Sequence, residues 1–274
     1  MTKLAIMGAM QEEIDPLLEF FKDYKTIEYA DNKYYEVNYK GLDIVIAHSK
    51  IGKVFASLTA STLIQKFSCD TLLFSGVAGA INPKLNIGDL IVATKLCQHD
   101  LDITAFGHPN GYVPGGKVFV DTSKELLEVA KNVAKSENLK VIEGVIATGD
   151  QFVHSNERKD FIEKTFSADA LEMEGASVAV VCDALNVPFF ILRAISDSAN
   201  GEANFDFDEF TINKFLKGTI LDELKEGLYF DGFLPQNYIG ICKFCKINNE
   251  DYKMFVVGEL SKDYEYFFEQ IINF

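Results

Sequence analysis

The 274-residue chain predicts an α/β protein, a three-layer fold whose central mixed, largely parallel sheet carries helices on both faces. Three observations carry that prediction. Five short apolar segments (3–7, 71–75, 89–95, 141–148 and 188–195) each end in a turn of small, acidic or aromatic residues. Amphipathic stretches of helical length lie between several of them. The last segment, PFFILRAIS, is apolar at both parities, as a strand covered on both faces of a parallel sheet must be.

Composition bounds the function class. The 26 basic and 41 acidic residues leave a formal charge of −15, without a basic run, so a nucleic-acid backbone or an anionic membrane would be approached against the field. A small-molecule ligand is expected, with neither nucleic acid nor membrane as partner. The five cysteines, Cys69, Cys97, Cys182, Cys242 and Cys245, are odd in number and scattered, which predicts a reducing compartment rather than a disulfide framework. No signal peptide precedes the first strand and no apolar run is long enough for a bilayer, so a cytoplasmic location is expected.

In chain order, Lys3–Met7 is a strand, Gly8 and Ala9 a tight turn, and Gln11, Glu12 and Glu13 open a helix that runs through Leu17, Leu18, Phe20 and Phe21. Residues 34–40 and 43–49 form a hairpin around Gly41, and 54–67 a helix. The strand 71–75 enters the turn Gly76-Val77-Ala78-Gly79-Ala80, where small residues allow a backbone to approach a ligand. After the strand 89–95 comes a long glycine- and proline-rich loop carrying His99, Asp100 and Phe106, of a length usually functional or placed between subunits. A helix over 123–137 leads to the strand 141–148, which ends in Gly149-Asp150-Gln151-Phe152-Val153.

Residues 167–200 concentrate the candidate chemistry. The run ASVAVVCDAL (176–185) predicts a buried helix ended by Asn186, Val187 and Pro188. Glu174 would sit in its first turn, where free N–H groups and the helix dipole favour an ionised carboxylate. Asp197 follows the strand at its carboxyl end, the edge where open α/β sheets bind ligands. Strand alternation puts Arg193, Ile195 and Asp197 on one face, and a buried arginine there needs an anionic partner. Taken singly, Glu174 is equally readable as a helix-end charge and Asp197 as an N-cap.

Two signatures are absent from the sequence. No GxGxxG follows the first strand and no GxxxxGK[ST] occurs, so dinucleotide and nucleoside-triphosphate chemistry are not expected. His48, His99, His108 and His154 lack metal spacing and are read as surface or hydrogen-bonding histidines. No cofactor and no metal are expected.

Seven motifs in order, IMGAMQEEID (6–15), SKIGKVFAS (49–57), SGVAGAI (75–81), DITAFG (102–107), GDQF (149–152), LEMEGAS (171–177) and RAISDSA (193–199), closely resemble the 5′-methylthioadenosine/S-adenosylhomocysteine nucleosidase family. The resemblance covers about residues 1–210 and implies a nucleoside phosphorylase-like fold. Val77 stands where many relatives have serine, which brings the chain nearest to the epsilonproteobacterial type, whose members also hydrolyse 6-amino-6-deoxyfutalosine in menaquinone synthesis.

The resemblance implies hydrolysis of the bond between adenine and ribose through an oxocarbenium-like transition state, in a homodimer. Asp197 would protonate nitrogen 7 of the purine, with burial raising its pKa toward that task. Glu13 would activate water, with Glu12 left at the surface unless the register shifts by one. Glu174 would accept hydrogen bonds from the ribose hydroxyls. Glu172 would be among the substrate-binding residues, and Met173, between Glu172 and Glu174, would lie against the ribose. Phe152 would stack on adenine, or else be ordinary core, and the backbone of Val153 would read the base edge. Val77, Ala78 and Gly79 would line the site, and Arg193 would pair with a site carboxylate. Met10 and Ile51 would line the 5′ pocket, joined by Phe106 from the dimer partner.

Two rival functions remain open. One is a phosphate-dependent nucleoside phosphorylase, which needs convergent cations where this chain has Glu12, Glu13 and an uncharged VAG turn. The other is a catalytically silent nucleoside-binding protein, against which the joint presence of Glu13, Glu174 and Asp197 argues.

Domains are expected at 1–228 (nucleosidase) and 229–274 (extension). A helix can be drawn over 208–226. YIGICKFCKI (238–247) and YKMFVVGEL (252–260) read as a hairpin, and 263–273 as a short helix. Cys242 and Cys245 form a lone CxxC, whose members face opposite ways in a strand and suit no metal knuckle. The extension is either packed on the body or dimer, or a regulatory appendage.

Overall fold

A computed structural model describes residues 3–39, 41–136, 140–197, 241–247 and 251–257. β1 (Lys3–Gly8) alternates strictly, with Leu4 and Ile6 packed on one face and Ala5 and Met7 on the other. That alternation separates two hydrophobic layers. On the first face lie α1 (Gln11–Phe21), through Ile14, Leu17 and Leu18, and α3 (Lys124–Ser136), through Leu126, Leu127 and Ala130. On the second lie α2 (Lys53–Gln65), through Ala56, Ala60 and Leu63, and α5 (Gly175–Leu185), through Ala176, Val178, Ala179 and Cys182. The three-layer α/β architecture is therefore as expected.

The remaining strands are β2 (Lys25–Tyr29), β3 (Asn32–Tyr39), β4 (Leu42–His48), β5 (Thr71–Ala80), β6 (Leu90–Gln98), β7 (Phe119–Asp121), β8 (Val141–Thr148), β9 (Ala170–Glu172) and β10 (Phe189–Asp197). The sheet runs β10-β6-β8-β9-β5-β1-β4-β3-β2, with β7 beside β6. Pairs β1–β4, β1–β5, β5–β10, β6–β8 and β8–β9 are parallel. Because β10 pairs with β5 as well as with β6, five of the strands close into a ring. The closure gathers the carboxyl ends of β5, β8, β9 and β10 around one opening.

Several elements depart from expectation. The segment 76–80 is not a turn: β5 continues through it to Ala80 and pairs with β10 as far as Asp197. Small side chains let the strand bend without breaking. β2, β7, β9 and α4 (Asn156–Phe166) have no counterpart in the sequence reading. β2 joins β3 through Ala30 and Asp31, both at positive φ (51° and 56°), where neither glycine nor asparagine signals a hairpin turn. The long loop carries a single 3-10 turn, Thr104–Phe106, closed by Gly107 at φ 80°.

In the C-terminal part, β11 (Ile241–Ile247) and β12 (Asp251–Val257) pair antiparallel, which is the expected hairpin, with Cys242 and Cys245 both on β11. The helices expected over 208–226 and 263–273 lie outside the described residues. Among the described residues no helix is long and apolar enough to cross a membrane.

Candidate active site

At the opening of the ring lies a cavity of about 280 Å³. Its floor is the end of β10. There the register against β5 shifts between Ile195 and Asp197, so Ser196 joins Asp197 and Arg193 in lining the cavity while Ile195 stays in the core. The strict alternation expected for Arg193, Ile195 and Asp197 fails at this bulge. Asp197 is buried and accepts from the Ser196 hydroxyl at 2.9 Å.

Glu13 enters from the other end of the chain. It is buried at the third position of α1 and lines the cavity, whereas Glu12 is half-exposed and does not. Its Oε2 accepts from the N–H groups of Ala9 and Met10, so the helix start holds the carboxyl over the cavity. Gly8 and Gly76 make the room: a Cβ on Gly8 would lie 2.9 Å from the Glu13 Cβ, and one on Gly76 would lie 2.7 Å from its Oε1. Gly76 thus accommodates a side chain of the protein. Burial raises the Glu13 pKa, against the nearby Arg193 charge and the backbone N–H groups of Ala9, Met10 and Val77.

Of the two acids around Met173, Glu172 rather than Glu174 takes the helix-end donors that were expected to hold Glu174. Glu174 is the N-cap of α5, with no cap bond from its side chain to that helix. Its Oε1 instead accepts from the N–H of Gly52 at 2.8 Å, at the start of α2. Glu172 takes the free donors of α5: its Oε2 accepts from Glu174 N at 3.2 Å and Gly175 N at 2.7 Å. Glu172 also accepts from the Thr148 hydroxyl, and Arg193 Nη2 lies 2.8 Å from it. Both Glu172 oxygens are therefore occupied by protein donors. Burial, with Glu172 adjacent, pushes the Glu174 pKa up to about 8, and its side chain makes no bond to the helix end that was expected to keep it ionised.

Arg193 is 1% exposed and satisfies the expectation of an anionic partner. Besides Glu172 it donates to the carbonyls of Phe74 (3.2 Å) and Leu192 (3.1 Å), and its guanidinium lies 4.1 Å from the Phe74 ring centroid. Thr148 links the assembly to β8 by also accepting from Ala176 N at 2.7 Å.

The apolar wall comprises Met10, Ile51, Val77, Ala78, Gly79, Phe152, Val153 and Met173, all expected, together with Ala9, Gln151 and Leu171, which had not been assigned as site residues. Phe152 is half-exposed at the rim rather than core. Phe106 is 80% exposed and does not line the cavity of its own chain. His99, expected at most as a hydrogen-bonding residue, is buried with Nδ1 3.0 Å from Arg158 Nη2, and burial followed by the Arg158 charge depresses it to about 4. Among the described residues no group of three or more histidines, cysteines or acids could hold a metal.

Comparison with known proteins decides the family. Residues 3–219 match the family described as the phosphorylase superfamily. The chain is 60% identical over 213 residues to the aminodeoxyfutalosine nucleosidase of Campylobacter jejuni, covering 78% of this chain and 93% of that one. It is 37% identical over 223 residues to the 5′-methylthioadenosine/S-adenosylhomocysteine nucleosidase of Anoxybacillus flavithermus, covering 81% and 96%. The chain belongs to this nucleosidase family. The crystal structure of the Campylobacter jejuni 5′-methylthioadenosine/S-adenosyl homocysteine nucleosidase superposes with a TM-score of 0.74 at 59% identity, over 78% of this chain and 93% of the other. Residues 198–274 match a second family, described as the HrcA C-terminal domain, whose range overlaps the first between 198 and 219.

Proposed function

We propose that the protein hydrolyses the N-glycosidic bond of 5′-methylthioadenosine and S-adenosylhomocysteine, and by the same chemistry 5′-deoxyadenosine and 6-amino-6-deoxyfutalosine, releasing adenine. The observation that carries this reading is the meeting of Glu13, Glu174 and Asp197 in one largely apolar cavity. Relatives named for these activities support it.

The carboxyls divide the work by surroundings. Asp197, hydrogen-bonded by Ser196 at the cavity floor, protonates nitrogen 7 of the departing base. Glu13, held by backbone donors, takes a proton from the attacking water, and its raised pKa makes it a better base than an exposed carboxylate. Glu174 faces the ribose hydroxyls, anchored by the Gly52 N–H. Development of positive charge on the sugar draws its ionised form, an interaction stronger in the transition state than in the ground state. Glu172 and Arg193 act through position, fixing the start of α5 and with it Met173 and Glu174.

Phe152 at the rim stacks on the base and Val153 reads its edge. Met10 and Ile51 wall an apolar 5′ end that accepts methylthio and longer thioether arms with little discrimination. Arg193, which lines the cavity, is engaged by Glu172, and beside it stand Glu13 and the uncharged Val77-Ala78-Gly79 segment rather than the converging free cations a phosphorylase needs.

A homodimer completes the pocket in this reading, the partner's loop bringing its phenylalanine 106 over the 5′ end. The exposure of Phe106 and of Ile51, Val54, Phe55 and Leu58 at the start of α2 supports it. The free, buried thiols of Cys69, Cys97 and Cys182 support a reducing, cytoplasmic setting. The family range 3–219 lies within the proposed nucleosidase unit of residues 1–228, and the second match, 198–274, takes in the appended segment 229–274 and begins before it. Purified protein incubated with each of the four nucleosides tests the reading. Adenine release is expected from methylthioadenosine, and failure with all four would contradict hydrolysis. Sizing chromatography and Phe106→Ala kinetics test the dimer: a monomer with unchanged KM removes it.

A further inference from the structure

We propose a second subsite beside β4, which receives a carboxylate carried at the far end of the substrate's 5′ arm. The proposal rests on the nucleosidase reading above and extends it. A cavity of about 570 Å³ is lined by Gln11, Glu28, Asp31, Lys33, His48 and Lys50, among others. It adjoins the active site through consecutive residues: Met10 and Ile51 line the first cavity, Gln11 and Lys50 the second. The register explains the adjacency. Gly8 of β1 is paired with His48 of β4, so the chains leaving both strands run out side by side.

Three observations point to an anion there. Lys33 and Lys50 line this cavity, with Glu28 and Asp31 beside them, in a protein whose net charge is −15. Lys50 sits at φ 73°, a region normally left to glycine, so a strained backbone keeps a lysine next to Ile51. The Ser49 hydroxyl braces that turn by donating to the Lys50 carbonyl at 2.7 Å. Finally, Nδ1 of His48, a residue of the cavity wall, is enclosed with no hydrogen-bond partner among the described residues, and burial with Lys50 nearby lowers its pKa, so it stands there as a neutral ring with hydrogen-bonding capacity unspent.

Lys50 Nζ is held at 2.7 Å from Asp31, whose side chain is 96% exposed. Such a pair is weak and exchangeable, so Lys50 can turn to a ligand carboxylate while Asp31 and Glu28 remain for a ligand ammonium. An amino-acid arm and a carboxyaryl arm share the carboxylate that the cations recognise. Methylthioadenosine carries none and ends at Met10 and Ile51.

The test compares the full chain with the Lys50→Gln, Lys33→Gln double variant and with Lys50→Arg. Glutamine keeps the same non-glycine backbone demand at position 50 and removes the charge. Substrates are methylthioadenosine, S-adenosylhomocysteine, its decarboxylated analogue and aminodeoxyfutalosine. The double variant should raise KM for S-adenosylhomocysteine about tenfold or more, the low end of what one charge-assisted hydrogen bond is worth, with kcat unchanged. Methylthioadenosine and the decarboxylated analogue should be unaffected, and Lys50→Arg should retain wild-type values. A rise with aminodeoxyfutalosine too assigns the subsite to both arms; a rise with one alone assigns it to that arm. Equal changes for methylthioadenosine, or none for either carboxylate substrate, would overturn the subsite. Absence of adenine release by the unmodified protein would overturn the nucleosidase reading itself, and the subsite with it.

Discussion

A Cβ on residue 76 would lie 2.7 Å from Oε1 of Glu13, so the glycine at that point of β5 is what lets the carboxyl reach over the cavity. Backbone donors from Ala9 and Met10 hold Glu13 from the other side, leaving it little room to yield. Gly76→Ala should therefore displace the carboxyl while the strand persists. Turnover should fall about 10²-fold, the effect of an ångström-scale misplacement, with the circular dichroism spectrum unchanged. Wild-type turnover in this variant would remove Glu13 from the reaction.

Asp197 and Glu13 are assigned complementary proton transfers. Asp197→Asn and Glu13→Gln should each lower kcat by about 10² to 10⁴, the usual worth of a positioned acid or base. Affinity for a non-hydrolysable adenine nucleoside, measured by calorimetry, should persist in Asp197→Asn. Unchanged turnover in that variant would take Asp197 out of the mechanism.

The buried ion pair of Arg193 and Glu172 carries a stability prediction. Arg193→Met leaves Glu172 buried without its cation, at a cost of about 3–5 kcal/mol in chemical denaturation. A loss under about 1 kcal/mol would show that the donors from Thr148, Glu174 and Gly175 suffice alone.

Glu174 makes stability depend on pH. Burial, then the neighbouring Glu172, raises its pKa from 4.5 to about 8, so the folded state holds the proton more tightly than the unfolded chain does. Its contribution is complete below pH 4.5 and is lost as pH rises toward 8. The Tm should therefore fall over that window, and Glu174→Gln should flatten the fall and raise the Tm at its alkaline end. Each kcal/mol moves the Tm by about 2–4 °C in a protein of this size. Glu13, also raised by burial, leaves a residual slope of the same sign. An unaltered profile in Glu174→Gln contradicts the assignment.

How far sequence could go depends on the range of the determining contacts. β1, α1 and β10 are legible because their apolar periodicity is local and their burial follows from it. Glu13, Glu174 and Asp197 are legible through motif resemblance, and the structure gathers them at one cavity. Which of Glu172 and Glu174 takes the donors of α5 is not legible, since acids two apart around Met173 look alike until the start of α2 arrives from 122 residues away. Gly8 and Gly76 are likewise opaque, because what they make room for is the side chain of a third residue. Thr148 did carry a signal in sequence, as a hydroxyl that closes the apolar run Val145-Ile146-Ala147 of β8.

Whether water or phosphate attacks the sugar tests the account most directly, because the superfamily name covers phosphorolysis and the argument for hydrolysis rests on a cavity lined by Glu13 and the uncharged Val77-Ala78-Gly79 segment. Methylthioadenosine should be cleaved in ¹⁸O-labelled water with and without added phosphate. The account predicts equal rates of adenine release and a free sugar labelled at its anomeric oxygen. Strict dependence on phosphate, with an unlabelled sugar 1-phosphate as product, would contradict it.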